Sequence, residues 1–391
     1  MPKPRNQIVD LNVTNYFHCI SRCVRRAFLC GEDRNTGRNF DHRKLWIADR
    51  LRELTDIFAI DVCSYGLMSN HHHSVLHVDW SRALSWSDDE VADRYACLFK
   101  PTVDLGRSLP AAKWAELVST WRSRLYDLSW FMRCLNESIA RSANREDGVS
   151  GRFWEGRFRS QALLDTGALL TCMAYVDLNP IRAGIADTLE ESLFTSIRER
   201  LISAATPQGL APFDGQVIDA GPPRQVLPMR FDGYVEVLKW SAAALRQERA
   251  ETDAQKTDEW VSPPDSAARS EAAAALDQQQ RPEETETRGT QPVEAAETVT
   301  QLAAETVALS GAETPGVPPL ASRSATANAP PLLQRMGLDG AGFLEALQNF
   351  PRSFFTMIGH VQLIDTEAAR RRYRRRPGRK AARRLYSARA A

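Results

Sequence analysis

Between residues 41 and 78 the spacing of apolar positions changes. Leu45, Ala48, Leu51, Leu54 and Phe58 recur every three or four residues, which predicts a helix with these side chains inward and Asp41 as its cap. Ile60-Asp61-Val62-Cys63-Ser64-Tyr65 then alternates with the period of a strand. After a Gly/Ser/Asn punctuation, His71-His72-His73-Ser74-Val75-Leu76-His77-Val78 alternates again. Two strands joined this tightly predict an antiparallel hairpin. Alternation puts His71, His73, Val75 and His77 on one face, so His71 and His73 stand side by side and can offer two imidazoles to one divalent metal. The plainer reading is a partly exposed strand edge with incidental histidines. The hairpin alone does not decide between the two.

Upstream, residues 14–30 suit a strand followed by a basic turn. Downstream, residues 80–125 are rich in Trp and polar side chains and read as a helical insertion. Leu128, Phe131, Met132, Leu135 and Ile139 then mark a helix packed on the sheet, fading near 141–148. In Gly151-Arg152-Phe153-Trp154-Glu155-Gly156-Arg157-Phe158-Arg159, arginines interleave with aromatics. Extended, this stretch sets Arg152, Arg157 and Arg159 beside Trp154, cations next to π-faces, which suits phosphate contact and base stacking. The plain alternative is a solvated basic edge over a core Trp. Asp165 and Thr166 offer caps for a helix through Leu169, Leu170, Met173 and Tyr175, and Pro180 ends or kinks it after Asn179. Tyr175 and Asn179 are one turn apart and can share a face. A helical tyrosine usually ends in the core, and spacing alone does not overturn that.

Composition changes the picture at the two ends of the 391-residue chain. The length suits one large or two small domains plus tails. Residues 10–200 hold the patterned segments, and 201–249 a helical extension that includes an amphipathic helix opening at Phe231–Trp240. Residues 250–330 collapse to Ala, Glu, Thr, Gln and Pro, a linker unable to offset its ordering entropy. Across 246–330 there are 15 acidic against 7 basic side chains. Residues 331–364 recover enough Leu and Phe for a small helical module. The tail, 365–391, carries Arg370–Arg372, Arg374–Arg376, Arg379, Lys380, Arg383, Arg384 and Arg389, a block that suits nucleic-acid contact or a solvated tail. No apolar run approaches a membrane span, the N-terminus lacks the apolar core of a secretory signal, and seven scattered cysteines do not resemble a disulfide framework. His18, Cys19, Cys23 and Cys30 match no paired zinc module. The expected location is cytoplasmic and nucleoid-associated.

Two strand-borne imidazoles, a tyrosine and an amide oxygen one turn beyond it make a chemical set. They can hold a divalent metal, Mg²⁺ or Mn²⁺, and attack a phosphodiester, conserving its energy in a phosphotyrosine ester. Here the chain resembles a known family. Met68-Ser69-Asn70-His71-His72-His73 looks like the His-hydrophobe-His motif of single-tyrosine HUH transposases. Tyr16 to Arg25, Gly151 to Phe158 and Tyr175-Val176-Asp177-Leu178-Asn179-Pro180-Ile181-Arg182-Ala183-Gly184 look like the REP-associated tyrosine transposase branch. The resemblance spans roughly residues 10–200 and rests on four motifs in order. It implies an α+β fold with a ferredoxin-like antiparallel sheet, His71, His73 and Asn179 as metal ligands, and Tyr175 as nucleophile. It also implies single-stranded DNA near hairpins as substrate, and leaves room for a homodimer in which Tyr175 serves either subunit's histidines. One position departs: the middle residue, normally apolar, is His72, which needs a polar partner or solvent. The rival expectations are a non-cleaving DNA-binding protein on the same fold and a structural metal protein.

Overall fold

The computed structural model describes residues 9–24, 29–31, 37–203, 205–216, 224–260 (backbone alone over 253–260) and 328–386 apart from 374 and 377. The basic turn expected at 25–28 and the linker over 261–327 lie outside the described residues. Residues 1–244 and 319–391 form one compact unit, and 245–318 a second.

Strands β1 (Tyr16–Arg22), β2 (Ile60–Leu67), β3 (His71–Val78) and β4 (Arg159–Leu163) make a mixed α+β core with a mostly antiparallel sheet, ordered β2-β3-β1-β4 and extended by β7 (Met357–Ile358). The hairpin expected from the alternation is present, with Leu67 opposite His72 and Tyr65 opposite Ser74. β1 lies between β3 and β4, pairing Ile20 with His73 and His18 with both Val75 and Gln161. The short β7 runs parallel to β4, where Ala162 N–H donates to Thr356 O at 2.9 Å.

Helix α1 (His42–Ile57) and helix α5 (Leu128–Asp147) pack against each other, with Phe58 and Phe131 edge to face at 5.4 Å beside them. Two details of α1 differ from its apolar pattern. Leu45 is 52 % exposed while Arg43 is 1 % exposed, because Glu146 and Asp147 at the end of α5 accept from the Arg43 guanidinium at 2.7 and 2.5 Å. Asp41 makes no side-chain cap; its carboxylate pairs with Lys44 instead. Between β3 and α5 run α2 (Trp80–Ser85), α3 (Asp88–Arg107) and α4 (Ala111–Arg124), around a buried Trp121. Pro101, which has no N–H to donate, sits just past a break at Phe99 in α3.

Helix α6 (Thr166–Asp177) is capped by Asp165, whose carboxylate accepts from Ala168 N–H at 2.7 Å, and packs on β2, β3 and β4. Close approach is possible because β2 carries Gly66: a Cβ there would lie 2.9 Å from Val176 O. The short α7 (Asn179–Arg182) and α8 (Ser196–Ile202) follow, then β5 (Phe213–Asp214), β6 (Leu227–Arg230) and α9 (Phe231–Trp260), which runs past the expected end near Arg249. Buried Asp177 ties this extension to α6: Ser196 Oγ and Ile197 N–H donate to Oδ1, and Tyr234 Oη to Oδ2 at 2.6 Å.

The C-terminal segment folds as α10 (Pro331–Arg335), α11 (Gly340–Ser353), β7, α12 (Val361–Arg370) and α13 (Arg379–Leu385). Part of the expected basic tail is therefore helical, and several of its arginines pair with nearby carboxylates. Glu367 pairs with Arg370 and Arg371, Asp365 with Arg376 and Arg379, and Glu345 with Arg384. Among the described residues no helix is long and apolar enough to cross a membrane.

Candidate functional site

The face of the sheet under α6 gathers the polar side chains. Alternation along β3 points His71 and His73 the same way, and their rings meet at 4.8 Å, nearly perpendicular. Tyr175, on the last turns of α6, sets its ring 5.6 Å from that of His73, again perpendicular. Asn179 joins through Arg182, whose Nη1 donates to Asn179 Oδ1 at 3.4 Å and whose guanidinium carbon lies 4.7 Å from the centre of the Tyr175 ring. The structure thus sets His73 between His71 and Tyr175, its ring against each, and links Asn179 to Tyr175 by one arginine.

Burial shapes the chemistry. It pushes the His71 imidazole down to about 4 and holds that of His73 well below its ordinary value, with neighbouring cations and rings adding to the effect, so both rings are neutral near pH 7. Neutral imidazole is the ligand form. His71 Nδ1 lies 2.6 Å from Asn70 Oδ1, and His73 Nε2 is buried with no hydrogen-bond partner. A buried nitrogen left bare is costly in a finished core but suits a ligand aimed at a cation. On this point the residues fit a divalent metal. Among the described residues no third His, Cys, Asp or Glu completes a cluster, so further donors to a metal here would have to be an amide, water or a substrate oxygen. Burial raises the Tyr175 phenol above its ordinary value, and Arg182 opposes that rise.

Several contacts here are not visible in local sequence patterns. His18 on β1 is fully buried, with Nε2 2.9 Å from His73 Nδ1 and Nδ1 2.6 Å from Gln161 Oε1. Phe350 on α11 stacks on the Tyr175 ring at 4.2 Å and 10°, which leaves that tyrosine 4 % exposed. Arg182 Nη2 donates to Gln348 O on the same helix. The alternating pattern Tyr16-His18-Ile20 is a signal that could have placed His18 on the histidine face.

His72 points to the opposite face and finds the polar partner it needs: Nε2 lies 3.2 Å from Asn136 Oδ1, and Asn136 Nδ2 donates to Ser21 Oγ at 2.9 Å. Trp154 stands on this side too, its ring 5.6 Å from that of His72 and its Nε1–H donating to Asn136 O at 2.8 Å. Arg152, Arg157 and Arg159 are exposed. A cavity of about 390 Å³ on this side is lined by Met132, Arg133, Asn136, Trp154, Arg157 and Phe158, among others, whereas Arg159, in register with Ile20 and His73, belongs to the histidine face.

No family model matches the chain, and no curated protein does. Among solved structures the chain is similar to one described as a REP-associated tyrosine transposase bound to a REP hairpin. The match has 13 % identity and a TM-score of 0.32, and covers 57 % of this chain and 99 % of that one.

Proposed function

We propose that this chain is a metal-dependent, transposase-like endonuclease that cuts and rejoins single-stranded DNA near hairpins through a 5′-phosphotyrosine intermediate. The observation that carries this reading is the meeting of Tyr175 with the paired His71 and His73 in one buried cluster. The order β1-α1-β2-β3, three inserted helices, α5-β4, with strands arranged β2-β3-β1-β4, supports a ferredoxin-like core beneath it.

In this reading His71 and His73, through Nε2, and Asn179, through its amide oxygen, would hold Mg²⁺ or Mn²⁺. The 3.4 Å separation between Asn179 Oδ1 and Arg182 is long enough for the amide to exchange partners. When bound, the metal supplies positive charge to the scissile phosphate. Tyr175 Oη attacks phosphorus as its phenol loses its proton, forming the O–P ester. The bond from phosphorus to the 3′ oxygen breaks, and that oxygen leaves as a 3′-hydroxyl, taking from water one proton in place of the one the phenol gave up to water. Arg182, beside the phenol, favours its deprotonated form. Attack by a 3′-hydroxyl on the ester reverses the step without ATP. Arg152, Arg157 and Arg159 would contact phosphates, and Trp154 would border the cavity beside Arg157.

Tyr175→Phe should abolish any denaturant-stable adduct with a labelled, hairpin-flanked single strand in Mn²⁺ or Mg²⁺ while leaving binding intact. EDTA should do the same. A full-strength adduct with Phe at 175 would overturn the role of Tyr175. A second reading, DNA binding without cleavage on the same scaffold, draws on the closed stacking of Phe350 over Tyr175. It predicts binding with no adduct in either metal.

A further inference from the structure

The bonds running inward from β4 determine which nitrogen of His73 carries its proton. Gln161 Nε2 lies 2.6 Å from Phe354 O, a backbone carbonyl that only accepts, so the amide nitrogen must face it and donate. Gln161 Oε1 therefore faces His18 Nδ1 at 2.6 Å as an acceptor, and His18 Nδ1 must carry the hydrogen. In a neutral His18 ring the other nitrogen, Nε2, is then bare. It faces His73 Nδ1 at 2.9 Å, so His73 Nδ1 carries the hydrogen between them. The remaining lone pair of His73 sits on Nε2, the buried atom without a partner.

Sheet register builds this relay. His18 is directly opposite Gln161 across β1 and β4, and one step diagonal from His73 across β1 and β3, where Ile20 is the direct partner. Same-face neighbours at these positions are within reach of one another. Resting on the metal reading above, we propose that His18 and Gln161 are positioning residues: they hold His73 as the Nδ1–H tautomer and aim its Nε2 lone pair at the metal. His71 is disposed in the same sense by Asn70 Oδ1 at its Nδ1. His18, with both nitrogens engaged, is excluded as a ligand itself. Partners of this kind behind a ligating histidine typically alter metal affinity about 10–100-fold.

Side-chain ¹⁵N NMR of the metal-free, histidine-labelled full chain should show His18 and His73 both protonated at Nδ1 and bare at Nε2. Calorimetric titration with Mn²⁺, at a temperature where each variant is fully folded by circular dichroism, should give a Kd about 10–100-fold weaker for His18→Phe and Gln161→Met. His18→Gln, which returns an acceptor near the old Nε2, should recover most of the affinity. Finding His73 protonated at Nε2 overturns the relay, and that measurement needs no variant to fold. Wild-type Mn²⁺ affinity in both variants overturns the positioning role while leaving the metal site standing. Wild-type protein that does not bind Mn²⁺ overturns both.

Discussion

Asp61 on β2 is fully buried beside two arginines: Arg82 Nη2 lies 3.0 Å away and Arg224 Nη1 3.4 Å, with His77 Nδ1 at 3.6 Å, and Gln225 N–H donates at 3.1 Å. Burial alone would raise its pKa, but His77, Arg82 and Gln225 outweigh it and hold the carboxyl below its unfolded value near 3.8. A lowered folded pKa means the unfolded chain takes up the proton first. The stability Asp61 contributes is therefore complete above about pH 4 and fades as pH falls through the lowered value. Asp61→Asn takes one of two carboxylates from each of Arg82 and Arg224, which keep Asp79 and Asp56, and should cost about 1–3 kcal/mol in urea unfolding at pH 7. Its stability curve below pH 4 should also be flatter than the wild-type curve.

At the scale of elements, the approach of α6 to the sheet depends on Gly66. Gly66→Ala would set a methyl group 2.9 Å from a backbone carbonyl that cannot swing aside. The variant should lose about 1–3 kcal/mol of stability. Because Tyr175 rides on α6, it should also lose adduct formation more than DNA binding, as parallel gel-shift and denaturing-gel assays would measure. The hairpin β2–β3, the Asp165 cap and the pairing of His71 with His73 were legible because each is a local pattern: alternation, a capping residue, i and i+2. Helix α1 misled because Arg43 reads as a surface residue, and only distant Glu146 and Asp147 let it turn inward. His18 was illegible as a partner of His73 because the contact spans 55 positions and depends on strand order. Strand β7, two residues long, has no period to read, and its register exists only against β4.

Across the whole molecule, α11 closes the histidine–tyrosine face. Phe350 lies against Tyr175, Gln348 O accepts from Arg182, and Phe354 O accepts from Gln161. Removing the stacked ring opens the path to the phenol. Phe350→Ala should lose about 3–5 kcal/mol on unfolding, as buried Phe truncations do. The surviving folded protein should form adduct faster per molecule than wild type. Adduct formation no faster than wild type would show that α11 does not limit access.

Asp165 caps α6 through Oδ1 and, with the same carboxylate, accepts Tyr386 Oη at 2.5 Å and His360 N–H at 2.6 Å. The start of the helix bearing Tyr175 is thus completed by residues near the far end of the chain, and β7 adds a strand beside β4. Covalent continuity between the two halves is then not what holds them together. A protein cut at a protease site inserted within 261–327 should elute as one particle, and its two pieces, expressed as separate chains, should reassemble by themselves.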